Sequence, residues 1–266
     1  MNWLRRLLGG DDPAGAGPAA ARERVTGRPP SGNGASSLHL FWSLPGEWAA
    51  AEVTLEVIQP PRVQELYFWA LQANFTDGSR PYGGAHLGLQ WHPSYPGGTA
   101  VNWGGYRHGG GELDGSTSAL PGSLGNPHTR DYPWSPAVPY RLRIDRSPDR
   151  PGSWRGSLFD PRAGRAVVVR ELHAGGTHLT SLMMWSEVFA RCDDPPAAVR
   201  WSDPVAFDDA GRPAQPPSVS VNYQRHADGG CSNTTAFLDD VGVCQRTGCE
   251  RTTPQGATLG VPHPLR

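Results

Sequence analysis

Val138-Pro139-Tyr140-Arg141-Leu142-Arg143-Ile144 decides the fold class. Val138, Tyr140, Leu142 and Ile144 fall on one face of an extended chain, and Arg141 and Arg143 on the other. Alternation at period two marks a strand with one face on a core and one in water. The same signal recurs outward from here. Residues 37–43 set Leu38, Leu40 and Trp42 on one face, and residues 52–58 do so for Val53, Leu55 and Val57. Residues 86–92 put Leu87, Leu89 and Trp91 opposite Gly88, Gln90 and His92. Residues 66–75 are apolar and aromatic on both faces, which predicts a central strand covered on each side. Further runs lie at 154–159, 166–172, 180–189, 199–207 and 219–223. About ten or eleven short strands between Gly, Pro, Asp and Asn clusters predict an all-β, antiparallel two-sheet sandwich. No amphipathic run is long enough for a substantial helix, and no fixed period points to a propeller or solenoid.

Composition narrows the function classes. The 24 basic residues are all arginine and stand against 25 acidic ones, a net charge of −1. Phosphate binding needs a cationic surplus, so a nucleic-acid partner is not expected. The absence of lysine removes Schiff-base and P-loop lysine chemistry. The 34 glycines and 27 prolines imply many turns, while ten tryptophans still supply a core. No apolar stretch reaches the ~18 residues of a membrane span. Residues 1–35 read as a disordered N-terminal segment, 36–255 as one sandwich domain and 256–266 as a tail. Trp3, Leu4, Leu7 and Leu8 could form one apolar stripe near the start. The first residues lack the core of a signal peptide, which points to the cytoplasm; a secreted or cell-surface location stays open.

Residues 106–137 break the rhythm of strands. A segment of this length is usually functional or disordered, and this one carries His128, Arg130, Tyr132 and Trp134. An ordered loop over one sheet face is the favoured reading. His128, Arg130 and Tyr132, with Gln90 and His92 as neighbours, would supply the cation, base and acid of a polysaccharide lyase; solvated loop residues are the rival reading. Glycosidases need two carboxylates flanking the bond, and no spacing selects a pair among Glu112, Asp114, Asp131 and Glu187. Around Trp185, period two places Glu187, Phe189 and Arg191 on its face, with Leu182, Met184, Ser186 and Val188 on the core side. A structural ion pair or a ligand-facing Glu187 and Arg191 are both compatible with that face.

Cys231, Cys244 and Cys249 cluster near the C-terminus, with Cys192 upstream. Two disulfides, a four-thiolate zinc site or free thiols remain open, and no metal or other cofactor is the working expectation. No phosphate-cradling GxGxxG, P-loop, HExxH or GxSxG is present.

Tyr67-Phe68-Trp69-Ala70-Leu71-Gln72-Ala73-Asn74-Phe75, Gly88-Leu89-Gln90, Asn102-Trp103-Gly104-Gly105 and Tyr132-Pro133-Trp134 before Tyr140-Arg141-Leu142 together form a pattern. Over residues 36–250 it resembles an uncharacterised bacterial domain family with a concanavalin or laminin-G-like β-sandwich. The resemblance implies a curved jelly-roll sandwich and glycan contact, and it carries over no catalytic residues. Members tend to be exported, which this chain's start does not match. Sugar rings stack on aromatic faces while amides, carboxylates and guanidinium groups bond their hydroxyls. The leading expectation is therefore a monomeric carbohydrate-binding module using Trp69, Gln90, Trp103, Trp134, Trp185, Glu187 and Arg191 on a concave face. A polysaccharide lyase or glycoside hydrolase on the same scaffold is the first alternative. A non-catalytic protein-interaction module, with every indole buried, is the second.

Overall fold

The computed structural model describes residues 23–262. The apolar stripe of Trp3, Leu4, Leu7 and Leu8 lies outside them. In chain order the strands are β1 Ser36–Trp42, β2 Ala50–Gln59, β3 Tyr67–Thr76, β4 Pro81–Trp91, β5 Thr99–Arg107, β6 Gly122–Ser123, β7 Asn126–Asp131, β8 Tyr140–Arg146 and β9 Trp154–Asp160. They continue with β10 Arg165–Leu172, β11 His178–Val188, β12 Ala198–Phe207, β13 Pro213–Ala214, β14 Ser218–Tyr223, β15 Thr234–Leu238, β16 Val243–Thr247 and β17 Thr258–Gly260. All pairings are antiparallel. One sheet has nine strands in the order β17-β14-β1-β11-β3-β4-β5-β7-β6. The other runs β10-β9-β8-β2-β12-β16-β15, with β13 paired to β12. Among the described residues the only helical elements are single 3-10 turns. The architecture is the jelly-roll-like sandwich that the alternating runs predict.

The core lies between the sheets and is built by alternation. Leu38, Leu40 and Trp42 of β1 face it, as do Tyr67, Trp69, Leu71, Ala73 and Phe75 of β3 and Tyr140, Leu142 and Ile144 of β8. Trp103 of β5 shows how closely the layers approach. Its indole donates to the Trp154 carbonyl at 3.3 Å, and a Cβ on Gly156 of β9 would stand 2.6 Å from its ring. Glycine at 156 lets the indole lie on the opposing backbone. β3 sits mid-sheet and is covered on both sides, because Phe68 and Ala70 join Met183 and Trp185 in a second apolar cluster on the outer face.

Three segments differ from the sequence reading. Residues 106–137 are not a cover over a sheet: β6 and β7 extend the nine-stranded sheet beyond β5. Part of the segment 1–35 belongs to the folded body. Arg24 donates to the carbonyls of His226 at 3.0 Å and Gly230 at 2.9 Å, and Cys192 N–H donates to the Gly27 carbonyl at 2.8 Å. In the segment 256–266, β17 pairs with β14. These segments are held by scattered long-range hydrogen bonds and a three-residue strand pairing, which leave no periodic apolar trace.

Cys192 and Cys231 form a disulfide with their Cα atoms 5.6 Å apart, so the four-thiolate zinc arrangement is not formed. Cys244 and Cys249 are free. No helix among the described residues is long and apolar enough to cross a membrane.

Candidate functional site

The outer face of the nine-stranded sheet is a grid set by strand register. One row crosses it through Ser37, Glu187, Phe68, Gln90 and Ala100 to Asp131. The next holds His39, Trp185, Ala70, Gly88, Asn102 and Thr129. A third holds Phe41, Met183, Gln72, His86 and Gly104. Paired residues of neighbouring strands point to the same side, so these side chains share one surface.

Small residues and rings interlock there. Phe68, Trp185 and His86 pack against one another, with centroids 4.9 Å apart for Phe68–Trp185, 5.4 Å for Phe68–His86 and 5.6 Å for His86–Trp185. Both partners of Phe68 lie in the second and third rows, so its ring leans away from the line joining Glu187 to Gln90. Trp185 donates its indole N–H to Gln72 Oε1 at 2.8 Å. Gln72 in turn donates to the Tyr106 hydroxyl at 3.3 Å.

Gln90 is held by its carbonyl end. Its Oε1 accepts from the Tyr95 hydroxyl at 3.0 Å and from Thr129 Oγ1 at 3.3 Å. Thr129 Oγ1 accepts from Asn102 Nδ2 at 3.0 Å. The amide is placed with its oxygen end toward these two hydroxyls. The Nε2 donor then points away from them.

Glu187 is a carboxyl set among these aromatic and amide side chains. It is 8 % exposed, and Asn33 Nδ2 donates to its Oε1 at 2.6 Å. Burial raises its pKa to about 7, against the opposing pull of the Asn33 hydrogen bond. Asn33 itself is exposed, so the carboxyl lies at the solvent border of the face. His39 and His86 are both depressed to about 4, chiefly by burial. The face thus carries two neutral imidazoles and one carboxyl that changes charge near neutrality.

The structure spreads the sequence-predicted residues over several places. Gln90, Trp185 and Glu187 meet on the outer face. Trp69, Trp103 and Trp134 lie between the sheets at 2 %, 0 % and 3 % exposure; Trp134 donates its N–H to the Gln90 carbonyl at 3.0 Å. These three rings face the opposing sheet and present no stacking surface. β11 ends at Val188, so Arg191 leaves the face of Trp185 and pairs with Asp193 at 3.1 Å.

His128, Arg130 and Tyr132 diverge. His128 Nε2 lies 3.3 Å from Glu112 Oε2, Arg130 donates to the Pro127 carbonyl at 2.8 Å, and Tyr132 donates to Asp160 at 2.9 Å inside the core. Burial and that carboxylate push the Tyr132 phenol well above its usual range, which unsuits it as an acid. The three form no common centre. Thr129, between them in sequence, is the one that reaches Gln90.

Sequence reading missed Phe68, Gln72, His86, Thr129 and Asn33. The first four occupy alternate positions on their strands, a signal that was available; Asn33 reaches the site from a turn and left none. Among the described residues no group of three or more His, Cys, Asp or Glu side chains is placed to hold a metal ion. A cleft of about 410 Å³ at the β8–β9 turn includes Arg146, Thr177, His178 and Asp209. Its charges already pair, Arg146 and His178 both on Asp209.

No protein-family model matches the chain, and no curated protein matches it. Similar solved structures include a Scytalido-glutamic peptidase bound to a peptide-based transition-state analogue, at 9 % identity and TM-score 0.48, over 80 % of this chain and 98 % of that one. SCP-B, an eqolisin-family peptidase in complex with the tripeptide Ala-Ile-His, is similar at 10 % identity and TM-score 0.43, over 80 % and 96 %. An alginate lyase from Klebsiella pneumoniae is similar at 12 % identity and TM-score 0.25, over 59 % and 58 %. At such identities and scores these likenesses assign no chemistry, and they do not bear out the concanavalin-like family resemblance.

Proposed function

We propose that this chain is a hydrolase of peptide-like acyl bonds, with Glu187 as the proton-transferring carboxyl and Gln90 Nε2 as the donor to the developing oxyanion. One observation carries the reading: a buried carboxyl with a pKa of about 7 stands in the same cross-strand row as an amide whose oxygen faces two hydroxyls. Their backbones are two strands apart, about 10 Å. A general base works best when its pKa lies near the working pH. Ionised Glu187 would take a proton from water as the water oxygen bonds to the acyl carbon. The negative oxygen formed would accept from Gln90 Nε2. The proton would pass to the leaving nitrogen, the C–N bond would break, and an acid and an amine would depart.

The two-carboxylate mechanism of glycosidases fits less well. Asp131 shares the row but stands four strands from Glu187, about 19 Å, beyond the roughly 5–9.5 Å such pairs need. Peptidases and a glycan lyase both stand among the structural neighbours, so the choice rests on the geometry of this face. The glycan-binding reading retains Trp185, Gln90 and Glu187 as its face. The Cys192–Cys231 disulfide supports an oxidising compartment.

The test is cleavage of a mixed peptide library across the acid-to-neutral range, read by mass spectrometry. Glu187→Gln is expected to abolish cleavage, and Gln90→Ala to slow it about 10²–10³-fold, the range for removing one oxyanion donor. Wild-type cleavage no faster than that of Glu187→Gln overturns the proposal. Saturable glycan binding in that case would favour the second reading.

A further inference from the structure

We propose that Arg130 and Arg170, with Ser123, form a binding site for a single oxyanion: a carboxylate, sulfate or phosphate group. The site is separate from the Glu187–Gln90 row and does not rest on its chemistry.

Arg170 on β10 is 5 % exposed, and its Nε is buried without a hydrogen-bond partner. Its Nη1 donates to the Pro127 carbonyl. Arg130 on β7 donates to the same carbonyl from Nη2 at 2.8 Å, and its Nε is also buried and unpartnered. Two guanidinium groups therefore converge on one neutral oxygen. Neither has a carboxylate partner among the described residues. Asp114, whose charge Arg170 feels, is bonded by Arg107. By contrast Arg141, Arg143, Arg155, Arg162 and Arg200 all carry carboxylate partners.

Buried cations without counter-charges are costly, because desolvation is not offset by attraction. An unused hydroxyl lies next to Gly122 in the chain: Ser123 is 2 % exposed and its Oγ has no partner. Ser123 follows Gly122, which pairs with Arg130 across β6 and β7. Glycines let both guanidinium groups approach the backbone, since a Cβ at Gly122 would meet Arg130 Nη1 and one at Gly115 would meet Arg170 Nη2. Free N–H groups on two arginines, with a free hydroxyl, are the donor types that recognise an oxyanion. A cation or neutral sugar hydroxyl would leave the positive pair uncompensated. The anion could be free or carried on a larger molecule, and the chemistry that recognises it is the same.

The test follows arginine Nε–H resonances in ¹⁵N-labelled protein as sodium sulfate replaces sodium chloride at constant ionic strength. Arg130 and Arg170 should shift together and saturate, while Arg141, already paired with Glu52, should not move. Arg130→Gln should weaken binding about tenfold or more, the loss of one charge-assisted hydrogen bond. Arg130→Lys should recover only part of it, and Glu187→Gln should leave it unchanged. A parallel titration with glucuronate separates the sources: tighter binding than sulfate supports an anion borne on a sugar, and equal or weaker binding supports a free oxyanion. Resonances that stay fixed in both titrations, or that drift without saturation for all arginines alike, overturn the site.

Discussion

Replacing Glu187 with Gln removes one titration while keeping an acceptor for Asn33, so it isolates the effect of a buried carboxyl on folding. In the folded protein this group binds its proton up to a pKa of about 7, against 4.5 for the unperturbed side chain. Between those values the folded state holds a proton that the unfolded chain has released. Stability contributed by the group is therefore fully present at pH below 4.5, and it falls as pH rises toward 7. At roughly 1.4 kcal/mol per pH unit the difference sums to about 3 kcal/mol. Burial lets this figure stand without discount for solvent screening, since Glu187 is 8 % exposed. The assay is urea unfolding of both proteins at a series of pH values, with the disulfide intact. The stability of Glu187→Gln relative to wild type should climb by about 3 kcal/mol across the window and then level off. The depressed carboxyls of Asp77, Asp160 and Asp239 act on both proteins alike and cancel. Parallel curves from acid to neutral pH would show that the Glu187 carboxyl is solvated, and the reasoning for its catalytic role would go with it.

Three further outcomes follow from the packing. Asn33→Ala removes the one hydrogen bond that favours ionised Glu187; the carboxyl's midpoint, followed by carbon NMR, should move higher, and a fall would refute the contact. Gly156→Ala forces a methyl to within 2.6 Å of the Trp103 ring and should lower unfolding free energy by about 1–3 kcal/mol, as overpacking does; an unchanged midpoint in urea would show the layers to be looser. Replacing Cys192 and Cys231 by Ala opens a loop with a sequence separation of 39; the chain-entropy estimate is a loss of about 4 kcal/mol, and equal stability of the two proteins would contradict the cross-link.

Much of the fold was legible because the strands that bear on the core alternate cleanly. Tyr140, Leu142 and Ile144 are all fully buried, as period two requires. What escaped were strands whose faces carry little apolar contrast. β5 is largely buried, but its Asn102, Gly104 and Gly105 interrupt any apolar alternation, and β7 reads Asn-Pro-His-Thr-Arg-Asp; pairing to neighbours on both sides, which leaves no period-two signal, makes them strands. The tryptophans misled for a related reason. Sequence shows that an indole sits in a strand, while the ligand reading required it to face outward. Yet Trp69 shares its parity with Leu71 and Ala73, and Trp103 with Val101, so alternation already assigned both to the inner side. Glu187 was legible as an outward carboxyl, because Ser186 and Val188 flank it on the core side. Its partner Asn33 was not, since no local pattern encodes a turn that folds back over a sheet.

The two outer faces of the sandwich explain why one and not the other is suited to chemistry. Across the middle of the eight-stranded sheet, on β2, β8, β9 and β12, charges meet their opposites. Glu52 holds Arg141 and Arg143, Asp145 holds Arg143 and Arg155, and Arg200 bridges Glu56 and Asp239. In a lattice of that kind each carboxylate is already committed to a guanidinium group. On the nine-stranded sheet the neighbours of Glu187 are rings, amides and imidazoles depressed to about 4. Among the described residues no cation pairs with the carboxyl, so its proton is held by desolvation and can be given up when a polar reactant or water approaches. Adding a cation beside it would abolish that property. A Phe68→Arg substitution, whose side chain would lie next to Glu187 in the same row, should return the carboxyl to the ordinary range. By the hydrolase reading it should remove the neutral-pH limb of activity while leaving the sandwich intact by circular dichroism. Retention of that limb with a verified acidic pKa would separate the activity from Glu187 altogether.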